Sequence, residues 1–431
     1  MVAATTDSLL QRRQRLLGPA YRLFYDEPLH IVRGEGVWLH AANGRRYLDM
    51  YNNVPHVGHC RAEVVEAIRA QVGILNTHTR YLHEMVLDYA ERLLAKLPDA
   101  LDTVMFSCTG TEANELALRI ARLVTGGEGV IVTEFSYHGN SQAIADISTE
   151  DTPLSRRPGY VVTIPFPDAY RGAHRGSDAG VHYAAYVDEA LANLDARGIR
   201  PAAFVIDTIS SSSGVIDVPP GFLRLAAEKV RAAGGLFIAD EVQPGFGRTG
   251  GHFWGFESDN LVPDIVTMGK PIGNGHPLAA TVARRELLNE FAKQTGYFNT
   301  FGGNPVSAAA GLAVLDVLET ERLQDNALVI GEYLKSGLRS LAERHALLGD
   351  VRGHGLFIAI DLVSDRDSKE PATAAARNVV RALKDGGILT NTIGPHSNIL
   401  KLRPPMVFSR ENADLFLQQF ARVLETVPMS N

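Results

Sequence analysis

Between about residues 100 and 320 the apolar residues fall into two alternating patterns. Short continuous runs, Thr103–Ser107, Gly129–Glu134, Ala203–Asp207, Leu236–Asp240, Ile265–Met268 and Leu278–Ala283, read as buried strands. Between them, apolar positions recur every three to four residues over Thr111–Leu123, Gly221–Ala233 and Pro305–Leu318, the spacing of amphipathic helices. Strands that are apolar throughout, alternating with helices, predict a largely parallel sheet covered on both faces, hence an α/β fold. After residue 320 the order changes to helix (Leu323–His345), strand (Leu356–Asp361), helix (Thr373–Lys384), strand (Ile399–Leu402) and helix (Glu411–Glu425). That order predicts a smaller α+β domain, which the strands around Gly34–Asp49 join. Thr149–Arg175 mixes proline, glycine and charge around the apolar run YVVTIPF, and reads as a long surface excursion rather than a domain boundary.

In an open α/β sheet, ligands gather at the carboxyl ends of the strands. The chemically suggestive residues fall there: Cys108 to Thr111, Ser136 to Gly139, Asp240 and Lys270. Thr109-Gly110-Thr111 stands between a strand and a helix, where free N–H groups, a positive helix end and two hydroxyls suit a phosphate. A plain N-cap at Thr109 or Thr111 accounts for the same residues. Lys270 lies in Met268–Gly275 (MGKPIGNG), which is no P-loop, because Pro271 follows the lysine and no glycine stands at the required offset. An amine at the end of a buried strand is costly to keep charged and suits Schiff-base chemistry; an exposed turn lysine is the alternative. Asp240, at the buried end of its run, needs a cationic partner, either a protonated pyridinium nitrogen or an arginine such as Arg248. Tyr137-His138-Gly139 offers an aromatic face for packing or for stacking on a ring.

A phosphate cradle, an aromatic plate, a buried acid and a glycine-flanked lysine are together the parts that a pyridoxal phosphate site requires. The chain resembles the class III aminotransferase family of fold-type-I pyridoxal phosphate enzymes from about Leu16 to Glu425. The likeness runs through Cys108–Asn114, Tyr137-His138-Gly139, Asp240–Gly250 (DEVQPGFGRTG), Lys270 and Thr300–Pro305 (TFGGNP), in family order and with family-like spacing. The resemblance implies a large cofactor-binding domain over residues 71–321 and a C-terminal small domain over residues 322–431, to which residues 1–70 contribute. It implies pyridoxal 5'-phosphate held as a Schiff base on Lys270, which then shuttles protons at the substrate α-carbon, with Asp240 keeping the ring nitrogen protonated. Gln243 would bond the ring hydroxyl, Val242 and Tyr137 would cover the two ring faces with His138 beside them, and Thr109, Gly110 and Thr111 would bind the phosphate. Thr300 would reach the phosphate in the neighbouring subunit, so a homodimer with sites at its interface is implied. Asp207 and Ser210 stand where many relatives have a glutamate followed by a glutamine, which sets Asp207–Gly214 (DTISSSSG) apart as pocket wall.

Fold alone does not fix the reaction. The lysine segment DIVTMGKPIGNGHPLAA and the later FNTFGGNPVS resemble the phospho-lyase branch, which eliminates phosphate from O-phosphoethanolamine or phosphorylated hydroxylysine. In NILKLRPP, Lys401 stands where many transaminases place a carboxylate-clamping arginine, and a point charge replaces a fork. A phospho-lyase is therefore the leading expectation, with an ω-amine or alanine–glyoxylate type aminotransferase as the alternative. Arg80, Lys401 and Arg403 are candidate cations for the leaving phosphate, with His56 and Tyr25 as hydrogen-bond donors. A non-catalytic vitamin-B6-binding regulator is disfavoured by Lys270 and Asp240 together and by the lack of a basic DNA-binding helix.

Composition narrows the partners. A net charge of −7 over 431 residues gives no field for nucleic acid or an anionic membrane. No apolar run approaches the roughly 20 residues that span a bilayer. Cys60 and Cys108 are too few for a disulfide framework or a cysteine zinc site and fit a reducing cytoplasm. His56 and His59, three apart with no nearby carboxylate, read as turn or pocket residues, and no metal is expected. Leu9–Leu17 reads as a short helix packed on the body or on a partner subunit.

Overall fold

The computed structural model describes residues 6–427. Helix α1 (Thr6–Leu16) precedes a meander of β1 (Ile31–Glu35), β2 (Trp38–Ala41) and β3 (Arg46–Asp49), and then α2 (Ala62–Val72) and α3 (Glu84–Leu94). The central layer is built from β4 (Thr103–Ser107), β5 (Gly129–Thr133), β6 (Val161–Ile164), β7 (Pro201–Asp207), β8 (Leu236–Asp240), β9 (Ile265–Met268) and β10 (Ala279–Ala283). Its helices are α4 (Gly110–Thr125), α5 (Gln142–Ala145), α6 (Ala179–Ala196), α7 (Phe222–Ala232), α8 (Arg285–Gln294) and α9 (Pro305–Thr320). The strands lie in the order β4-β10-β9-β8-β7-β5-β6, and β10 runs antiparallel to both its neighbours while the other pairs are parallel. This is an α/β fold.

Side chains alternate across this sheet, as the pleat requires. Ile131, Phe204, Ile206, Phe237 and Val266 face one apolar cluster, while Val130, Val132, Val205, Ile238 and Ile265 face another beneath α4 and α8. Both faces are covered, which is why the strands read as unbroken apolar runs. The run within Thr149–Arg175 is more than surface: it forms edge strand β6, parallel to β5, with Val161 and Ile164 buried. The excursion is therefore anchored in the middle by main-chain pairing.

The rest of the chain follows as α10 (Leu323–Arg344), β11 (Leu348–His354), β12 (Phe357–Asp365), β13 (Glu370–Pro371), α11 (Thr373–Asp385), β14 (Ile388–Leu389), β15 (Asn391–Ile393), β16 (Ile399–Leu402) and α12 (Arg410–Thr426). β11, β12, β16 and β15 form an antiparallel sheet with β13 on β12. β14 pairs in parallel with β3, so the N-terminal meander is completed by a strand from near the other end of the chain. Two arginines tie this region to the loops of the central sheet. Arg352 donates to the carbonyls of Gly214 and Val215 at 2.9–3.1 Å and pairs with Asp350, and Arg171 pairs with buried Asp361 at 2.5 Å. No residue of α1 is fully buried, and Ser8, Leu9, Leu10 and Arg13 are half-buried. No helix among the described residues is long and apolar enough to cross a membrane.

Candidate active site

The carboxyl ends of the strands converge because their register is shared. Asp207 neighbours Asp240 across β7 and β8, and Asp240 neighbours Thr267 across β8 and β9. Lys270 follows two residues past β9, with a backbone φ of +37° that a non-glycine residue seldom adopts. Such strain gathers at sites where position matters more than local comfort. Here these ends surround a cavity of about 370 Å³ lined by Thr109, Gly110, Thr111, Tyr137, His138 and Asp240, and further by Val242, Gln243 and Lys270. Cys108, Asn114, Asp207, His276 and Val54 complete much of the wall. The structure thus brings together nine of the residues singled out from sequence.

At the head of α4, Thr109 is the N-cap. Its hydroxyl oxygen accepts from the Glu112 amide at 3.1 Å, and Glu112 in return accepts from the amides of Thr109 and Cys108 at 3.0 and 2.8 Å. This reciprocal box fixes how the chain enters the helix. The plain-cap reading therefore holds for the Thr109 hydroxyl, while Gly110 and Thr111, just inside the helix, line the cavity. Gly110 is glycine for space: a Cβ there would stand 3.0 Å from both methyl carbons of Val242. Gly139, at φ +142°, leaves no room for a Cβ, which would meet the Thr111 hydroxyl at 2.5 Å.

Asp240 is buried and wrapped by donors. Its Oδ2 accepts from His138 Nδ1 at 2.7 Å and from Asn114 Nδ2 at 2.9 Å, and its Oδ1 accepts from the Val242 amide at 3.1 Å. Arg248 is not its partner. That guanidinium is buried elsewhere, donating to the carbonyls of Leu356 and Pro404 and to His56 Nδ1 at 2.7–3.1 Å. Burial, and then the charge of Arg403, push the Lys270 ammonium below its ordinary range, while Asp240 and Asp207 oppose the shift. A neutral amine able to attack a carbonyl or take a proton is thereby favoured. Burial and the neighbouring Asp240 push the Asp207 carboxyl up. Its oxygens turn back on its own loop, accepting from the amides of Ile209 and Ser211 at 3.1 Å and from the Ser211 hydroxyl.

Lys401 and Arg403 lie behind Gln243 rather than in the cavity wall. Both are buried; Lys401 donates to the Ser211 carbonyl at 3.0 Å, and the Gln243 side-chain oxygen accepts from Arg403 and, at 3.4 Å, from Lys401. Arg403 also stacks on Tyr51, its carbon 4.5 Å from the ring centre, and its Nε–H has no partner among the described residues.

Four further expected residues fall outside the cavity. His56 is a correction: it is wholly buried, with Nε2 bonded to the Phe246 carbonyl at 2.7 Å and Nδ1 to Arg248, so it has no free nitrogen for a substrate. Tyr25 donates to the Thr390 carbonyl at 3.0 Å and lines a separate cleft with Phe24 and Arg377. Arg80 is exposed, 3.9 Å above the Phe298 ring, and Thr300 is exposed on the neighbouring loop. His59 pairs with Asp49 at 2.7 Å, so the two histidines of the HVGH segment serve different partners. Sequence reasoning missed Asn114 and His276, whose Nε2 bonds the Ser307 hydroxyl at 2.9 Å.

Residues present fit pyridoxal phosphate: an acid for the ring nitrogen, a depressed lysine, a helix head cleared by glycine, and a slot between Tyr137 and Val242. Comparison with known proteins agrees. Residues 24–424 match the family model for aminotransferase class-III. An alanine–glyoxylate aminotransferase 2-like protein of Drosophila melanogaster is 43% identical, over 98% of this chain and 87% of its own. The ethanolamine-phosphate phospho-lyase homolog 1 of Caenorhabditis elegans is 40% identical, over 95% of this chain and 92% of its own. A solved phospholyase from Arthrobacter in complex with phosphoethanolamine is 46% identical, with a TM-score of 0.94, over 97% of this chain and all of that one.

Proposed function

The chain belongs to the class III aminotransferase family of pyridoxal-phosphate-dependent, fold-type-I enzymes, and on that premise we propose that it is a phospho-lyase. It would eliminate phosphate from O-phosphoethanolamine, or a related phosphorylated amine, and the unsaturated amine left behind would take up one water to give an aldehyde and ammonia. One observation carries this reading: Lys401 and Arg403 are buried beside the cavity, and no carboxylate among the described residues pairs with either within 4 Å. Buried cations are ordinarily paired. Burial and the charge of Arg403 push the Lys401 ammonium well below its ordinary range. An anion beside the pair would both meet Arg403 and restore the charge on Lys401, and a phosphate dianion presents more charge for this than a carboxylate. The charge of Asp207 acts on both, but its carboxyl oxygens bond its own loop rather than either cation.

When bound, the cofactor supplies an electron sink for charge on the carbon beside the substrate nitrogen. Lys270 would anchor it and move the proton at that carbon, a task that burial assists by pushing its ammonium below the ordinary range. Asp240 would hold a proton on the ring nitrogen, Gln243 would meet the ring hydroxyl, and Tyr137 and Val242 would fix the ring plane, with His138 acting on it through Asp240. Gly110, Thr111 and the Thr109 segment would hold the cofactor phosphate at the helix head. Arg403 and Lys401 would take the developing charge on the leaving phosphate. A homodimer is part of the reading. Leu82, 98% exposed, and Tyr81, Phe298 and Phe301 share one surface with Arg80 and Thr300, an apolar patch suited to a second copy.

The test is release of inorganic phosphate from O-phosphoethanolamine without any keto acid. Arg403→Met and Lys401→Met should each raise KM for that substrate at least tenfold. A second reading, transamination, is favoured by the 43% identity to the alanine–glyoxylate aminotransferase 2-like relative. Background phosphate release, with amine turnover restored by an added keto acid, would decide for it.

A further inference from the structure

Asn114 lies one turn into α4 and is buried at 3% exposure. Its Nδ2 has two hydrogens and two acceptors, Asp240 Oδ2 at 2.9 Å and the His138 carbonyl at 2.7 Å. Its Oδ1 accepts from the Thr267 hydroxyl on β9 at 2.5 Å. These partners fix which way the amide faces, since a flipped amide would set an oxygen against the Asp240 carboxylate. They also leave no N–H of Asn114 free for a ligand, although the residue lines the cavity. A second hydroxyl, that of Thr281 on β10, donates to the Ala113 carbonyl at 2.9 Å, so two consecutive residues of the helix head are tied to the sheet. One side chain therefore joins the head of α4, the acid at the end of β8, the Tyr137–Gly139 loop and β9.

The structure assigns Asn114 as a positioning residue that sets the spacing between the helix head and Asp240, with Thr267 locking its amide. The inference rests on reading the cavity as a pyridoxal phosphate site, in which those two places hold the phosphate and the ring nitrogen. The cofactor has a stiff ring and a short phosphate arm, so its two ends bind well together only if both anchors sit in one frame. Asn114 supplies that frame through a single planar amide. It also supplies one of the three hydrogen bonds that keep Asp240 oriented. Removing the amide would leave Oδ2 one donor short and the Thr267 hydroxyl without its acceptor in a dry place.

Apo-protein of the wild type and of Asn114→Leu, Thr267→Val and Thr267→Ser would be titrated with pyridoxal 5'-phosphate by fluorescence quenching. The absorbance of the bound cofactor would then be followed against pH, with far-UV circular dichroism reporting the fold. The expected result is that N114L binds ten- to a hundredfold more weakly, with a displaced absorbance titration. T267V should change both in the same direction by a smaller factor, and T267S should return both to the wild-type values. Folded N114L and T267V with wild-type affinity and titration would overturn the assignment. Should N114L not fold, equal affinities of T267V and T267S would overturn it. Wild-type protein that binds no cofactor would instead overturn the reading beneath it.

Discussion

Single residues show how far side-chain type alone reveals chemistry. Lys270, Asp240 and the Thr109–Thr111 segment were legible because an amine or acid closing an apolar run has little structural reason to be there and a good chemical one. Asn114 was not singled out, yet it shares the apolar stripe of α4 with Ala117, Leu118 and Ala121, and a polar residue on that stripe is a signal in its own right. His56 misled because a sequence shows a histidine but not that both its nitrogens are engaged inside the core. Glu241, beside Asp240, carries a prediction. It is buried, accepting from Thr208 at 2.7 Å and from the amides of Gly255 and Phe256, and burial pushes its carboxyl from the ordinary 4.5 up to about 8. Between those values the folded protein keeps a proton that the unfolded chain has released, so Glu241's contribution is full below pH 4.5 and is lost as pH rises through about 8. The slope is at most about 1.4 kcal/mol per pH unit. Thermal unfolding of Glu241→Gln and wild type from pH 5 to 8.5 should give a Tm difference that grows in favour of the variant; a constant difference would refute it.

Elements were legible where burial is uniform and obscure where direction or pairing matters. A continuous apolar run announces a buried strand but not which way it runs, so the reversal of β10 is visible only in the register with β4 and β9. β11 carries Asp350, Arg352 and His354, whose charges hide a strand that is half of a sheet pair. α4 shows what the junctions do. Glu112 closes the capping box and also accepts from the Asn299 amide group at 3.3 Å, so it links the helix head to the loop that bears Thr300. Glu112→Ala should cost about 1–2 kcal/mol through the lost cap bonds. Denaturant unfolding would measure the loss, and limited proteolysis should find faster cleavage between residues 296 and 303. An unchanged cleavage rate would show that the link does not restrain that loop.

For the whole molecule, the order of elements along the sequence marks a large domain and a smaller one, while a single apolar cluster runs through both. The largest apolar cluster runs without a break from Val37 to Leu424, across the central layer and the C-terminal sheet alike. Periodicity reads each element by itself and does not show such sharing. Where a surface remains apolar, a second copy is the natural cover, and the patch around Leu82 gives the test. Leu82→Arg with Phe301→Arg should yield monomers in sedimentation velocity and lose most activity. Dimers that persist would move the contact elsewhere. The strand order carries one more consequence, and it concerns time. β4 is made early, yet among the described residues its one neighbour in the sheet is β10, and β3 likewise borders β14 from near the other terminus. At about 5–20 residues per second of synthesis, the emerging polypeptide carries adhesive, half-mated edges for many seconds. Birth, rather than adult life, is when this enzyme is most exposed to aggregation, and shortened products ending before residue 279 should need a chaperone to stay dispersed.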